Sequence, residues 1–254
     1  MIIGKARKWF VRDHFLMLIF LLMLVCLSPC SAQHIKQSRM ESPSDILELT
    51  GKLYGTDDML VSGSVYVPSS PLITHHPYFD QDEWLESTVF IDGRRFDHQQ
   101  VKYDLPARKM ILNAQLKDGA TVKIVLNAWK IDSLYLGGHL FINSMHLFLP
   151  EPDTSFYELI HRNGFIFITG YHKEFIHKYT ASSPHGLWST QTASHFIYTD
   201  QWYSVASKRS LLAWFSSGKE DIRKYMHKNN IRFRKATGDQ LKLLLAHCST
   251  YYQK

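Results

Sequence analysis

Three Asx-Gly pairs constrain this chain more than any other feature. Asp92-Gly93 lies between Thr88-Val89-Phe90-Ile91 and Arg94-Arg95-Phe96. Asp118-Gly119 separates the run that begins Met110-Ile111-Leu112 from Thr121–Leu126, and Asn163-Gly164 separates Phe156–Ile160 from Phe165–Ile168. Asx-Gly suits the two-residue type I′ turn, which needs positive φ at both central residues and matches the twist of the strands it joins. Repeated along one chain, such turns predict an antiparallel meander. Residues 121–126 agree: Val122, Ile124 and Leu126 share one face, Thr121, Lys123 and Val125 the other. Further strands are expected over 128–149, with Gly137-Gly138 as a bend, and over 194–206, turning near Asp200-Gln201. Roughly nine to eleven strands favour closure, because open edges invite aggregation. The expected class is mainly β: an antiparallel meander closing as a barrel or sandwich, with a short N-terminal helix and C-terminal helices.

The helices are read from caps and spacing. Ser42-Pro43-Ser44-Asp45 resembles a helix start, with Ile46, Leu47, Leu49 and Leu53 as its apolar face. Near the other end, Lys208–Phe215 and Lys219–Asn229 read as short helices. Thr237-x-x-Gln240 is a capping box, followed at helical spacing by Leu241, Leu244, Leu245, Cys248 and Tyr252. These helices are expected to cover a sheet face or plug a barrel end. Segments 68–84 and 178–194 read as long irregular loops.

Residues 1–32 have the order of a secretory signal peptide. Lys5, Arg7, Lys8 and Arg12 form a basic head, Phe15–Leu27 an apolar run of 13 residues, and Ser28-Pro29-Cys30-Ser31-Ala32 a small-residue exit. The run is shorter than the roughly 20 residues of a membrane-spanning helix, so cleavage after Ala32 is preferred to a retained anchor. Leu27-Ser28-Pro29-Cys30 also starts like a lipobox, but the fixed φ of Pro29 should hinder lipidation at Cys30. The chain therefore divides into a leader (1–32), a loose linker (33–41) and a single β-rich domain (42–254) whose segment 207–252 is helical. No stable membrane span is expected after cleavage. The expected setting is the periplasm or the exterior, with an outer-membrane lipoprotein as the minor alternative.

Removing the leader changes two quantities. Of 29 Lys+Arg and 23 Asp+Glu, the leader holds four and one, which leaves a mature net charge of +3 instead of +6. That balance is no nucleic-acid footprint. Cys26 and Cys30 leave as well, so Cys248 has no partner for an internal disulfide and the fold must rest on its core. Placed on an apolar helical stripe, Cys248 reads as packing and not as a nucleophile.

Chemistry is thinly marked. There is no H-E-x-x-H, no G-x-S-x-G elbow and no glycine-rich nucleotide loop. The best metal candidates are His75, His76 and Asp80, close together in a loop where ligands can converge, although adjacent histidines seldom face one ion. His172 and His177, five apart on a strand, face opposite ways. Asp80, Asp82, Glu83 and Glu86 could flank a glycosidic bond, but such runs are usually solvated. Asp57-Asp58 lacks the EF-hand ladder. Trp84, Trp129, Trp188 and Trp202 could line a lipid or glycan cavity, or pair within a sheet core. No catalytic residue and no cofactor is assigned.

Four phrases resemble a group of uncharacterised exported proteins of the Gram-negative bacterial envelope. They are Leu53-Tyr54-Gly55-Thr56-Asp57-Asp58-Met59-Leu60 with Gly63 and Tyr66, His76-Pro77-Tyr78-Phe79, Lys102-Tyr103-Asp104-Leu105, and Ser207-Lys208-Arg209-Ser210-Leu211-Leu212. The resemblance implies an envelope setting and carries over no activity and no catalytic residue. The expected role is a non-enzymatic binding, assembly or structural module, partnered by another envelope protein or by a glycan or lipid. An envelope hydrolase or metal-dependent enzyme using the 68–84 loop, and a β-barrel carrier of an apolar ligand, are the alternatives.

Overall fold

The computed structural model describes residues 56–68, 73–116, 118–147, 155–199 and 201–252. The leader, the linker and the expected helix at 43–53 lie outside them. The strands are β1 (Ser64–Val65), β2 (Leu85–Ile91), β3 (Arg94–Asp104), β4 (Lys109–Gln115), β5 (Thr121–Val125) and β6 (Ile131–Leu136). They continue with β7 (His139–Asn143), β8 (Phe156–His161), β9 (Ile166–Ile176), β10 (Leu187–Tyr198) and β11 (Gln201–Ser204). Three helices follow: α1 (Lys208–Ala213), α2 (Lys219–Lys228) and α3 (Gly238–Ser249).

All eleven strands form one antiparallel sheet in the order β1-β5-β4-β3-β2-β6-β7-β8-β9-β10-β11. The meander is as expected; closure into a barrel is not. β1 and β11 stand at opposite ends of the order and do not pair. They are two and four residues long, so little unpaired backbone is left at either edge and closure is not needed to protect it.

Turn chemistry explains two tight hairpins, and two of the three expected Asx-Gly turns are longer loops. Asp92 (φ 48°) and Gly93 (φ 74°) form the expected two-residue turn between β2 and β3. Gly137 (φ 56°) and Gly138 (φ 84°) do the same between β6 and β7, so the expected bend is a full hairpin turn. At Asp118-Gly119 and at Asn163-Gly164 only the glycine has positive φ, because β4–β5 and β8–β9 are joined by longer loops than the expected two-residue turn.

The sheet curls. Tyr103 on β3 and Phe141 on β7 have ring centroids 5.6 Å apart, although three strand positions separate them. On a flat sheet that interval would be about 14 Å. The concave side holds the first core, built on Leu60, Phe79, Val89, Tyr103, Phe141 and Phe156. A second core places Phe165, Phe167 and Phe196 of the β8–β10 region under α1, α2 and α3, through Leu211, Phe215 and Leu244. The C-terminal helices therefore cover a sheet face.

Segment 178–194 is not a loop throughout, since β10 starts at Leu187 and pairs with β9 from Leu187↔Ile176 to Ile197↔Ile166. Ser189-Thr190-Gln191-Thr192-Ala193 lacks apolar alternation because Thr190–Ala193 are exposed, so backbone pairing and not burial makes this stretch a strand.

Candidate functional site

Residues 73–80 form a strap between distant strands. The Thr74 N–H donates to the Gly186 carbonyl (3.1 Å) and the Trp188 N–H to the Thr74 carbonyl (3.2 Å), which fixes one end at β10. The Phe79 N–H donates to the Tyr103 carbonyl (2.8 Å) and the Leu105 N–H to the Pro77 carbonyl (3.1 Å), which fixes the other at β3. Lysines bolt the middle. Lys173 of β9 is buried and donates from Nζ to the carbonyls of His76 (2.7 Å) and Tyr78 (2.8 Å). Lys102 of β3 meets Asp82 Oδ1 at 2.5 Å, and its ammonium sits 4.5 Å from the Tyr78 ring centre and 5.1 Å from that of Trp84.

This geometry accounts for the histidine-rich loop. His75 (φ 63°) and Asp80 (φ 56°) are exposed left-handed corners. His76 is partly buried and stacks with Tyr78 at 6.2 Å; burial, with the Lys173 charge nearby, lowers its pKa. Among the described residues no three His, Cys, Asp or Glu side chains form a group that could hold a metal ion, so His75, His76 and Asp80 are not gathered. Three of the quoted sequence phrases meet here instead. Besides the strap's bonds to β3, the Tyr66 hydroxyl donates to buried Asp104 Oδ2 (2.7 Å), and Asp104 Oδ1 accepts from the Ala107 N–H (2.9 Å). Burial and the Asp104 hydrogen bond raise the Tyr66 pKa.

A buried carboxylate escaped sequence reasoning. Glu158 of β8 has no exposed surface and lies on the face of β8 that also carries Phe156 and Ile160, which belong to the first and second cores. Its Oε1 meets His139 Nδ1 at 2.7 Å and Lys242 Nζ of α3 at 3.9 Å, and its Oε2 accepts from the Tyr171 hydroxyl at 2.5 Å. The carboxylate hydrogen bond raises the His139 pKa despite partial burial. Burial, reinforced by the Glu158 charge, raises that of Tyr171. The first turn of α3 is seated on the pair: a Cβ at Gly238 would lie 3.5 Å from His139 Cε1 and 3.6 Å from Glu158 Oε1. An ionic cluster of this kind clamps a helix to a sheet. Its one trace in the sequence is an acid at an inward position of an alternating apolar strand.

Two concave features lie elsewhere among the described residues. A wide, open one of about 570 Å³ lies between β11 and α1 and is lined by Trp202, Tyr203 and Trp214; the other is more enclosed. A pocket of about 280 Å³ is bounded by the β3–β4 turn and strands β8–β10. Arg108 comes from the turn, Tyr157 from β8, His172 from β9, and Gln191 and His195 from β10. Tyr157 faces Gly170 across the β8–β9 ladder, and a Cβ at Gly170 would come within 2.8 Å of the ring, so glycine is what lets the tyrosine lie over that strand. Tyr157 also meets Trp202 edge-on at 5.1 Å. His195 is 5.0 Å from Trp202, and burial lowers its pKa, which keeps the imidazole neutral at neutral pH. Arg108 occupies a left-handed position (φ 55°), and its Nη1 reaches the Ser155 hydroxyl at 3.4 Å. His172 Nδ1 is buried with no hydrogen-bond partner. Of these residues, the sequence singles out His172, placed on a strand but without its pocket.

The fold and pocket define the class: an open, curled antiparallel sheet flanked by helices, with a small polar-aromatic pocket at β8–β10. No protein-family model, no curated protein and no solved structure matches the chain. Among the described residues no helix is long and apolar enough to cross a membrane.

Proposed function

We propose that this is an exported protein of the bacterial cell envelope, acting by binding and not by catalysis, with the Arg108–Tyr157–His195 pocket as its binding site. The observation that carries the site is His172 Nδ1, a buried polar atom without a partner in the pocket wall. Buried side-chain nitrogens of His76, Trp188 and His247 also lack a partner, but the His172 atom is the one of the four in a pocket wall, where a bound group could pair with it. The distribution of charge supports binding over chemistry. Glu158, Lys173, Lys102 and Asp104 all have internal partners that hold the strap or α3 in place. An apolar carrier is less favoured because Tyr103, Phe141 and Phe156 fill the concave face. Export rests on the order of the leader and on the resemblance to envelope proteins. A periplasmic or extracellular protein is preferred to a lipoprotein acylated at Cys30.

The test is to express the full chain with its own leader in a Gram-negative host, fractionate the cells and sequence the mature N-terminus. Soluble periplasmic protein beginning at Gln33 supports the reading. Chain beginning at Met1 in the inner membrane overturns it.

A further inference from the structure

Independently of the pocket, we infer that the helical layer docks on the surface of a bilayer rich in anionic phospholipid, through six exposed cations beside the groove between β11 and α1. Charge is divided sharply along the chain. Residues 207–252 hold ten Lys and Arg against three Asp and Glu, a net of +7, while 56–206 hold eleven against sixteen, a net of −5. The three acids of the helical layer are already taken: Glu220 pairs with Arg223, Asp221 with Lys224 and Asp239 with Lys242. Lys208, Arg209, Lys228, Arg232, Arg234 and Lys235 are exposed, and none of them is ion-paired among the described residues.

The fold gathers these cations. Arg234 Nε donates to the Ala206 carbonyl (3.2 Å), which sets Arg232, Arg234 and Lys235 beside the start of α1, with its Lys208 and Arg209. The Ile231 N–H closes on the Met226 carbonyl (2.8 Å), so the end of α2, with Lys228, leads directly into the same patch. Ser210, Ala213 and Trp214 bring α1 into the wall of the open groove, together with Trp202 and Tyr203 of β11. Trp214 is held there by stacking on Phe196 at 4.3 Å.

The form of the patch favours a lipid surface. Sites built for one phosphate or carboxylate lock their cations with packing and further hydrogen bonds. Lys208, Arg209, Lys228, Arg232 and Lys235 make no side-chain hydrogen bond among the described residues, so they supply charge density without aim. A leaflet of many mobile anionic headgroups asks for that and no more. Trp202, Tyr203 and Trp214 are half-buried, and such rings, apolar with a polar tip, favour the headgroup level of a bilayer. The negative remainder of the domain is repelled by the same leaflet, so charge also sets the orientation.

The experiment sediments the processed protein with vesicles of phosphatidylcholine alone, or of phosphatidylcholine and phosphatidylglycerol in equal parts. Binding should need phosphatidylglycerol, and added salt should reverse it. Each basic residue at an anionic leaflet is worth about five-fold in affinity, so Arg209→Gln with Arg232→Gln should weaken binding about 25-fold. Lys123→Gln with Lys130→Gln removes the same charge from exposed positions on β5 and just before β6, and should change binding less than about two-fold. Equal binding to the two kinds of vesicle, or equal loss in the two double variants, overturns the docking surface. Tighter capture by soluble poly-L-glutamate than by the vesicles overturns the lipid and assigns the patch to an acidic protein.

Discussion

At Glu158 a carboxylate without solvent exposure is met by His139, Tyr171 and Lys242, each from a different element. Removing one partner of a buried charged group leaves the others desolvated and unpaired. Glu158→Leu should therefore cost about 3–5 kcal/mol, measured by urea denaturation. Lys242→Met should cost under about 1 kcal/mol, because that contact is long and its lysine partly exposed. The histidines act in opposite directions with pH. His139 has a raised pKa, so its contribution is full below its ordinary value near 6.5 and is lost as pH rises through the folded value. His76 and His195 have lowered pKa values, so stability tied to them is present above 6.5 and is lost as pH falls through their folded values. Relative to the wild type, His139→Gln should be more destabilising at about pH 5 than at about pH 8, and His195→Gln should flatten the acid limb. Equal destabilisation by His139→Gln at both pH values would count against the Glu158 pairing.

At the scale of elements, the strap depends on one buried lysine. Lys173→Met would keep the stem and leave the His76 and Tyr78 carbonyls without their donor. The expected loss is about 1–3 kcal/mol, together with faster amide exchange at Phe79 and Trp188. Helix α3 begins at a complete capping box, with Thr237 accepting from the Gln240 N–H and Gln240 answering at the Thr237 N–H. Thr237→Ala should cost about 1 kcal/mol. These local devices show what was readable. The Thr237 cap, the Leu241–Cys248 stripe and the Asp92-Gly93 turn are each set by neighbours a few residues away, so the sequence carries them openly. β10 was half hidden because its exposed residues 190–193 have no apolar alternation and are held by pairing with β9. In the sequence the strap reads as a loop rich in metal ligands, because its partners, Lys102 and Lys173, lie on strands distant in the chain.

For the whole molecule, Cys248 is the one cysteine among the described residues, and it lies in the second core. Cys248 has no exposed surface, and burial pushes its pKa up to about 12. Processed protein should give no reaction with a thiol reagent while folded and one thiol when denatured, and reductant should not change its Tm. Unprocessed chain would give three thiols on denaturation, so the same titration reports on the leader. By itself the sequence determined the strand-rich class, the Asp92-Gly93 turn and the cap of the last helix, because each depends on periodicity or on residues close in the chain. Tertiary structure alone decided that the sheet stays open and curls, that Glu158 joins β7, β8, β9 and α3, and that Arg108 stands beside Tyr157, His172 and His195. Those outcomes depend on contacts between residues tens of positions apart, and a pattern of neighbours holds no record of which distant side chains will share one low-dielectric space.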